Sequence, residues 1–142
     1  MKSIMVINSK GGSGKTTIAV NLAAYCAQRG YETTLVDLDP QQSSTQWLKE
    51  RPLNKSSIKG STKFSKPLKK ARNSVIIYDV PAAVYGSRLE TYVKKADSIV
   101  VPVMPSPIDI KAAKDFLNTL RSLGPVIRLS LIHISEPTRQ AS

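Results

Sequence analysis

Apolar positions along the chain fall into two kinds of block. Ile4–Ile7, Thr33–Asp37, Val75–Asp79, Ile99–Val103 and Val126–Ile132 are short, mostly apolar runs rich in β-branched residues, and they predict strands. Longer segments with helical spacing lie between them. Thr17–Arg29 is apolar at Ile18, Ala19, Leu22, Ala23, Cys26 and Ala27, and Gly30 stands where a glycine C-cap belongs. Ser43–Lys49 predicts a short helix containing Trp47. Ser87-Arg88-Leu89-Glu90 has the spacing of a capping box and opens a helix to about Ala96. Ser106-Pro107-Ile108-Asp109 offers a capping serine, a proline at the first helical position and an acid at the third. The helix behind it places Ala112, Ala113, Phe116, Leu117 and Leu120 on one face.

Strands alternating with helices at this spacing predict an α/β fold with a doubly wound, mostly parallel sheet and helices on both faces. The strands are apolar throughout rather than alternating, as strands covered on both faces should be. The final predicted strand has no helix after it, so the sheet is expected to be incomplete at its C-terminal edge, where unpaired backbone invites aggregation.

Composition narrows the class. A chain of 142 residues is one domain's worth, and 41% hydrophobic with 22% charged residues argues against disorder. Its apolar runs are far shorter than a bilayer span, and the N-terminus lacks a signal peptide's apolar stretch, so the expectation is a cytoplasmic protein without membrane attachment. Cys26 and His133 are the sole cysteine and histidine, which excludes an internal disulfide and makes histidine relays improbable. The net charge of +11 is concentrated: Lys49, Arg51, Lys55, Lys59, Lys63, Lys66, Lys69, Lys70 and Arg72 face only Glu50 in their segment. That segment reads either as a solvated lysine-rich loop or as a patch for the phosphates of nucleic acid, without the aromatic interleaving that base stacking needs.

The stretch Lys10-Gly11-Gly12-Ser13-Gly14-Lys15-Thr16-Thr17 falls between the first strand and the first helix. Glycines let backbone N–H groups converge on phosphate oxygens, and the helix N-terminus adds its partial positive charge. Lys15 can then reach β- and γ-phosphates, and the Thr16 hydroxyl can ligate Mg²⁺. The general pattern G-x-x-x-x-G-K-[ST] would put glycine at position 9, where this chain has Ser9, followed by Lys10.

With that departure the stretch resembles the ParA/MinD family of P-loop ATPases, whose loop reads K-G-G-x-G-K-T-[TS]. Val36-Asp37-Leu38-Asp39-Pro40-Gln41, Ile77-Tyr78-Asp79-Val80-Pro81-Ala82 and Ile99-Val100-Val101-Pro102-Val103-Met104-Pro105-Ser106 resemble its further motifs in family order, and Pro40-Gln41-Gln42 favours the ParA-like partition branch. The resemblance covers roughly residues 1–128. It implies ATP and Mg²⁺ as cofactors, with the nucleotide cradled by Lys10, Gly11, Gly12, Ser13, Gly14, Lys15, Thr16 and Thr17. Thr16 would ligate Mg²⁺, Asp79 would hold it through water, and Asp37 would support the metal shell. Asp39 would orient the attacking water. Lys10 would reach the partner subunit's nucleotide, so that hydrolysis depends on an ATP-dependent homodimer. Nonspecific DNA and a partner protein that stimulates hydrolysis are the implied partners. A nitrogenase-reductase-like iron–sulfur cluster would need more cysteines than this chain has.

Leu129-Ser130-Leu131-Ile132-His133-Ile134-Ser135-Glu136-Pro137-Thr138-Arg139 resembles the conceptual translation of a transposon-end sequencing adaptor. The expected organisation is therefore a partial P-loop ATPase domain at 1–128 and a non-native tail at 129–142, polar and without period from Ser135 onward. The expected function is a ParA-like ATPase serving plasmid or chromosome partitioning. The alternatives are a nucleotide-gated localisation module with negligible turnover, or a nonfunctional gene fragment.

Overall fold

The computed structural model describes residues 2–8, 14–64, 72–81, 84, 86–123 and, for backbone alone, 128–133. In chain order the elements are β1 (Lys2–Val6), α1 (Lys15–Gln28), β2 (Glu32–Asp37), α2 (Ser43–Glu50), β3 (Ile58–Ser61), β4 (Ser74–Asp79), α3 (Gly86–Lys95), β5 (Ser98–Val103), α4 (Pro107–Leu123) and β6 (Arg128–His133). The strands form one six-stranded sheet in the order β3-β2-β4-β1-β5-β6. Every neighbouring pair is parallel.

The apolar strands separate two cores. Met5, Val36, Ile76, Tyr78, Ile99 and Val101 face one side, against Leu89, Tyr92 and Val93 of α3 and Ala113, Leu117 and Leu120 of α4. The alternate residues Val6, Leu35, Val75, Ile77 and Val100 face the other side, against Ala19, Val20, Ala23 and Cys26 of α1, with Trp47 and Leu48 of α2 at its margin. The sheet is thus covered on both faces, as strands without polar alternation require. This is the doubly wound parallel α/β architecture, and it brings the ends of β1, β2 and β4 together at one edge, where such sheets place ligands.

Local chemistry sets the element ends. Gly30 has φ +90°, and the Gly30 N–H donates to the Ala27 carbonyl and the Tyr31 N–H to that of Cys26, closing α1 as its glycine cap predicts. The Asp109 N–H donates to Ser106 Oγ at 3.2 Å, so the expected cap of α4 is present. The starts of two helices and one edge strand differ from the expectation. Helix α1 opens at Lys15 rather than Thr17, and α3 opens at Gly86 rather than behind a Ser87 cap. Residues 126–127 of the last predicted strand lie outside the described residues, and β6 starts at Arg128. Strand β3 sits inside the basic segment that reads as loop. A Cβ added to Gly60 would come within 2.9 Å of Leu48 Cδ1, so a larger residue there would make the Leu48 side chain shift.

Candidate phosphate-binding site

The register places Val6 beside Asp79 and Asp79 beside Asp37, so two carboxylates end adjacent strands at one level. Helix α1 begins at the same edge. Gly14 precedes it at φ +78°, a left-handed conformation that glycine adopts without the steric penalty of a Cβ. No acid occupies the first turn of α1, so its positive end is uncompensated by its own residues.

Lys15, the first residue of α1, is buried, and its ammonium points back into the sheet edge. Nζ lies 3.0 Å from Asp39 Oδ2 and donates a short hydrogen bond to Asp79 Oδ1. Asp79 is fully buried, and its second oxygen accepts from two hydroxyls, Thr16 Oγ1 at 3.3 Å and Ser44 Oγ. A buried carboxylate is tolerated only when charge and hydrogen bonds compensate it, and here one ammonium and two hydroxyls do so.

Asp37 does different work. Its Oδ1 accepts the Asp39 N–H at 3.1 Å, and its Oδ2 accepts both the N–H and the hydroxyl of Thr45 at 2.8 Å. These bonds tie the β2–α2 loop, and with it Asp39, to the end of β2. Asp39 Oδ1 accepts the Gln41 N–H at 2.9 Å, and Gln42 turns the chain into α2 at φ +53°. Partial burial pushes the Asp39 carboxyl upward, but the Gln41 N–H and the Lys15 ammonium outweigh it and hold the carboxyl below its ordinary value.

Among the residues expected from the sequence, the structure brings Lys15, Thr16, Asp39 and Asp79 into one cluster and sets Asp37 behind it. Gly14 and Thr17 are exposed at the start of α1, while Lys10, Gly11, Gly12 and Ser13 lie outside the described residues. Within the basic segment, Lys49, Lys55, Lys59, Lys63 and Arg72 are exposed, with Lys59 paired to Glu32 at 2.8 Å; Lys66, Lys69 and Lys70 lie outside the described residues. Ser44 and Thr45 were not singled out by the sequence. They read as ordinary polar residues opening a helix, and only the fold turns them onto Asp79 and Asp37.

The donor set fits a Mg²⁺–phosphate complex. Thr16 and Asp79 offer hard oxygens 3.3 Å apart beside an ammonium and a helix N-terminus. Among the described residues no group of three or more His, Cys, Asp or Glu side chains forms a metal cage. Mg²⁺ needs none where one or two protein oxygens are joined by substrate phosphates.

Comparison with known proteins agrees with this geometry. Residues 4–132 match the family profile of the CobQ/CobB/MinD/ParA nucleotide binding domain. The chain is 35% identical over 111 residues to maintenance of carboxysome distribution protein A of Gloeobacter kilaueensis, covering 75% of this chain and 51% of that protein. It is 29% identical over 139 residues to protein ParA of Rhizobium radiobacter, covering 94% and 62%. It therefore spans about half to two thirds of the length of these curated relatives. Among solved structures, a putative plasmid partition protein of Borrelia burgdorferi bound to AMPPNP superposes with a TM-score of 0.74 at 16% identity, over 92% of this chain and 72% of that one, and shares the fold. With the profile spanning nearly the whole chain, this chain belongs to the CobQ/CobB/MinD/ParA family of nucleotide-binding domains.

Proposed function

We infer that the chain is the nucleotide-binding core of a ParA-like, Mg²⁺-dependent ATPase, in which ATP-driven dimerisation and nonspecific DNA binding serve plasmid or chromosome partitioning. The observation that carries this reading is the convergence of Lys15, Thr16, Asp39 and Asp79 at one sheet edge. In that reading Lys15 would exchange its two carboxylate partners among the described residues for β- and γ-phosphate oxygens, Thr16 would offer its hydroxyl oxygen to the metal, and Asp79 would hold it through water. Mg²⁺ supplies neutralisation of charge on the transferring phosphoryl group. Asp39, freed from Lys15 and still fixed by Gln41, becomes an acceptor for the attacking water. Lys10 acts across the dimer in the manner of an arginine finger, which makes turnover depend on assembly.

In this reading binding and catalysis would be separable, since Lys15 would contact phosphate and Asp39 the attacking water. The relative named ParA supports the partition role, and the exposed Lys49, Lys55, Lys63 and Arg72 suit phosphate backbones. From the adaptor-like residues alone the same reading takes 1–128 as the ATPase domain and 129–142 as foreign to it, although the family profile runs to residue 132 and β6 to His133; sequencing the gene past codon 128 decides between them. The functional test is ATP turnover and sedimentation of the complete gene product with and without ATP, DNA and Lys10→Ala. ATP-dependent dimers that hydrolyse ATP, both weakened by Lys10→Ala, are expected. Normal hydrolysis by a monomeric Lys10→Ala protein would overturn the role of Lys10 across the dimer.

A further inference from the structure

We propose that Ser44 is a positioning residue for Asp79, holding its buried carboxylate in the orientation in which it would meet the metal's water shell; the proposal rests on the Mg²⁺-nucleotide reading above. Asp79 is fully buried at the end of β4 and has three donors among the described residues. Two of these, the Lys15 ammonium and the Thr16 hydroxyl, are the groups that phosphate and Mg²⁺ engage when nucleotide binds. Ser44 is the donor that remains. It is itself fully buried, lies in the first turn of α2, and donates through Oγ to Asp79 Oδ2. With Oδ2 held by Ser44, the carboxylate keeps its orientation beside Thr16 once Lys15 departs.

Two further features make Ser44 a defined donor rather than a mobile one. The neighbouring Thr45 is held by Asp37 through both its N–H and its hydroxyl at 2.8 Å, so the first turn of α2 is anchored to the ends of two adjacent strands. The first turn of α2 carries no acid to compete for the hydroxyl. Outer hydrogen bonds that orient a metal-facing carboxylate commonly change metal affinity by about 10–100-fold.

The test is a Mg²⁺ titration of fluorescent ATP-analogue binding to this chain, run beside binding in EDTA, for the unsubstituted protein, Ser44→Ala and Ser44→Cys. Ser44→Ala removes the donor, and Ser44→Cys keeps its shape with a weak donor. Ser44→Ala is expected to raise the Mg²⁺ midpoint roughly ten-fold or more, with EDTA binding unchanged, and Ser44→Cys to fall between. An unchanged midpoint, or equal losses with Mg²⁺ and with EDTA, would overturn the positioning role while leaving the nucleotide reading intact. Absence of Mg²⁺-promoted binding by the unsubstituted chain would overturn both.

Discussion

The buried ion pair between Lys15 and Asp79 makes a sharp stability prediction. Lys15→Met keeps the aliphatic stem and removes the ammonium, leaving the fully buried Asp79 carboxylate, among the described residues, with only the hydroxyls of Ser44 and Thr16. Removing one member of a buried pair costs about 3–5 kcal/mol, and two surviving donors favour the lower end, so about 3 kcal/mol is expected. For a domain of this size that lowers the melting temperature by on the order of 10 °C. Asp79→Asn should do less, because Lys15 retains Asp39 at 3.0 Å; a loss of roughly 1–2 kcal/mol is expected for a buried charged donor that keeps one partner. The double variant leaves neither an unpaired ammonium nor an unpaired carboxylate at this pair. It should therefore recover about 2 kcal/mol relative to the sum of the single changes. Urea unfolding of all four proteins without added nucleotide, followed by far-UV circular dichroism, measures the cycle. Two harmless single variants with zero coupling would refute the buried pair.

Other outcomes follow from the same geometry. In the complete gene product, Asp39→Ala should keep ATP bound while slowing hydrolysis, read by comparing analogue affinity with turnover, since Asp39 faces water rather than phosphate. Asp39 has a lowered carboxyl pKa, so its contribution to stability is fully present above the ordinary value of 3.8 and is lost as pH falls through the lower folded value. Acid unfolding of Asp39→Asn should accordingly show a shallower pH dependence in that acid range than the unsubstituted chain. Leu120→Ala, at a fully buried position under α4, should cost about 2–5 kcal/mol in the same urea assay. Binding to DNA through the basic segment should fall steeply with salt and weaken further on charge reversal at Lys66, Lys69 and Lys70, with little sequence preference. DNA affinity indifferent to those changes would return the segment to a solvated face.

The legibility of the fold follows burial. Central strands such as β4, with Val75–Tyr78 buried on both faces, leave an apolar run that cannot be mistaken for a helix of this length. The edge strand β3 leaves almost no such run, because only Ile58 of Ile58-Lys59-Gly60-Ser61 is a large apolar residue. Its glycine lies against Leu48, a contact made by tertiary packing and invisible in local pattern. At the site, Lys15, Thr16, Asp39 and Asp79 were legible because each belongs to a motif whose chemistry demands that residue type. Ser44 was not, because its hydrogen bond to Asp79 is an α2-to-β4 contact spanning 35 residues of chain. The structure also shows Asp37 holding Thr45 and the Asp39 backbone, a loop-organising arrangement that spacing alone does not distinguish from a place in the metal shell.

The central claim is that Lys15 is the cation aimed at a nucleotide's β- and γ-phosphates. Equilibrium binding of a fluorescent ATP analogue in Mg²⁺, compared between the unsubstituted protein and Lys15→Ala, tests it most directly. Saturable binding that Lys15→Ala abolishes is the predicted result, since no other described side-chain cation in the cluster can take that place. Undiminished affinity in Lys15→Ala would contradict the account.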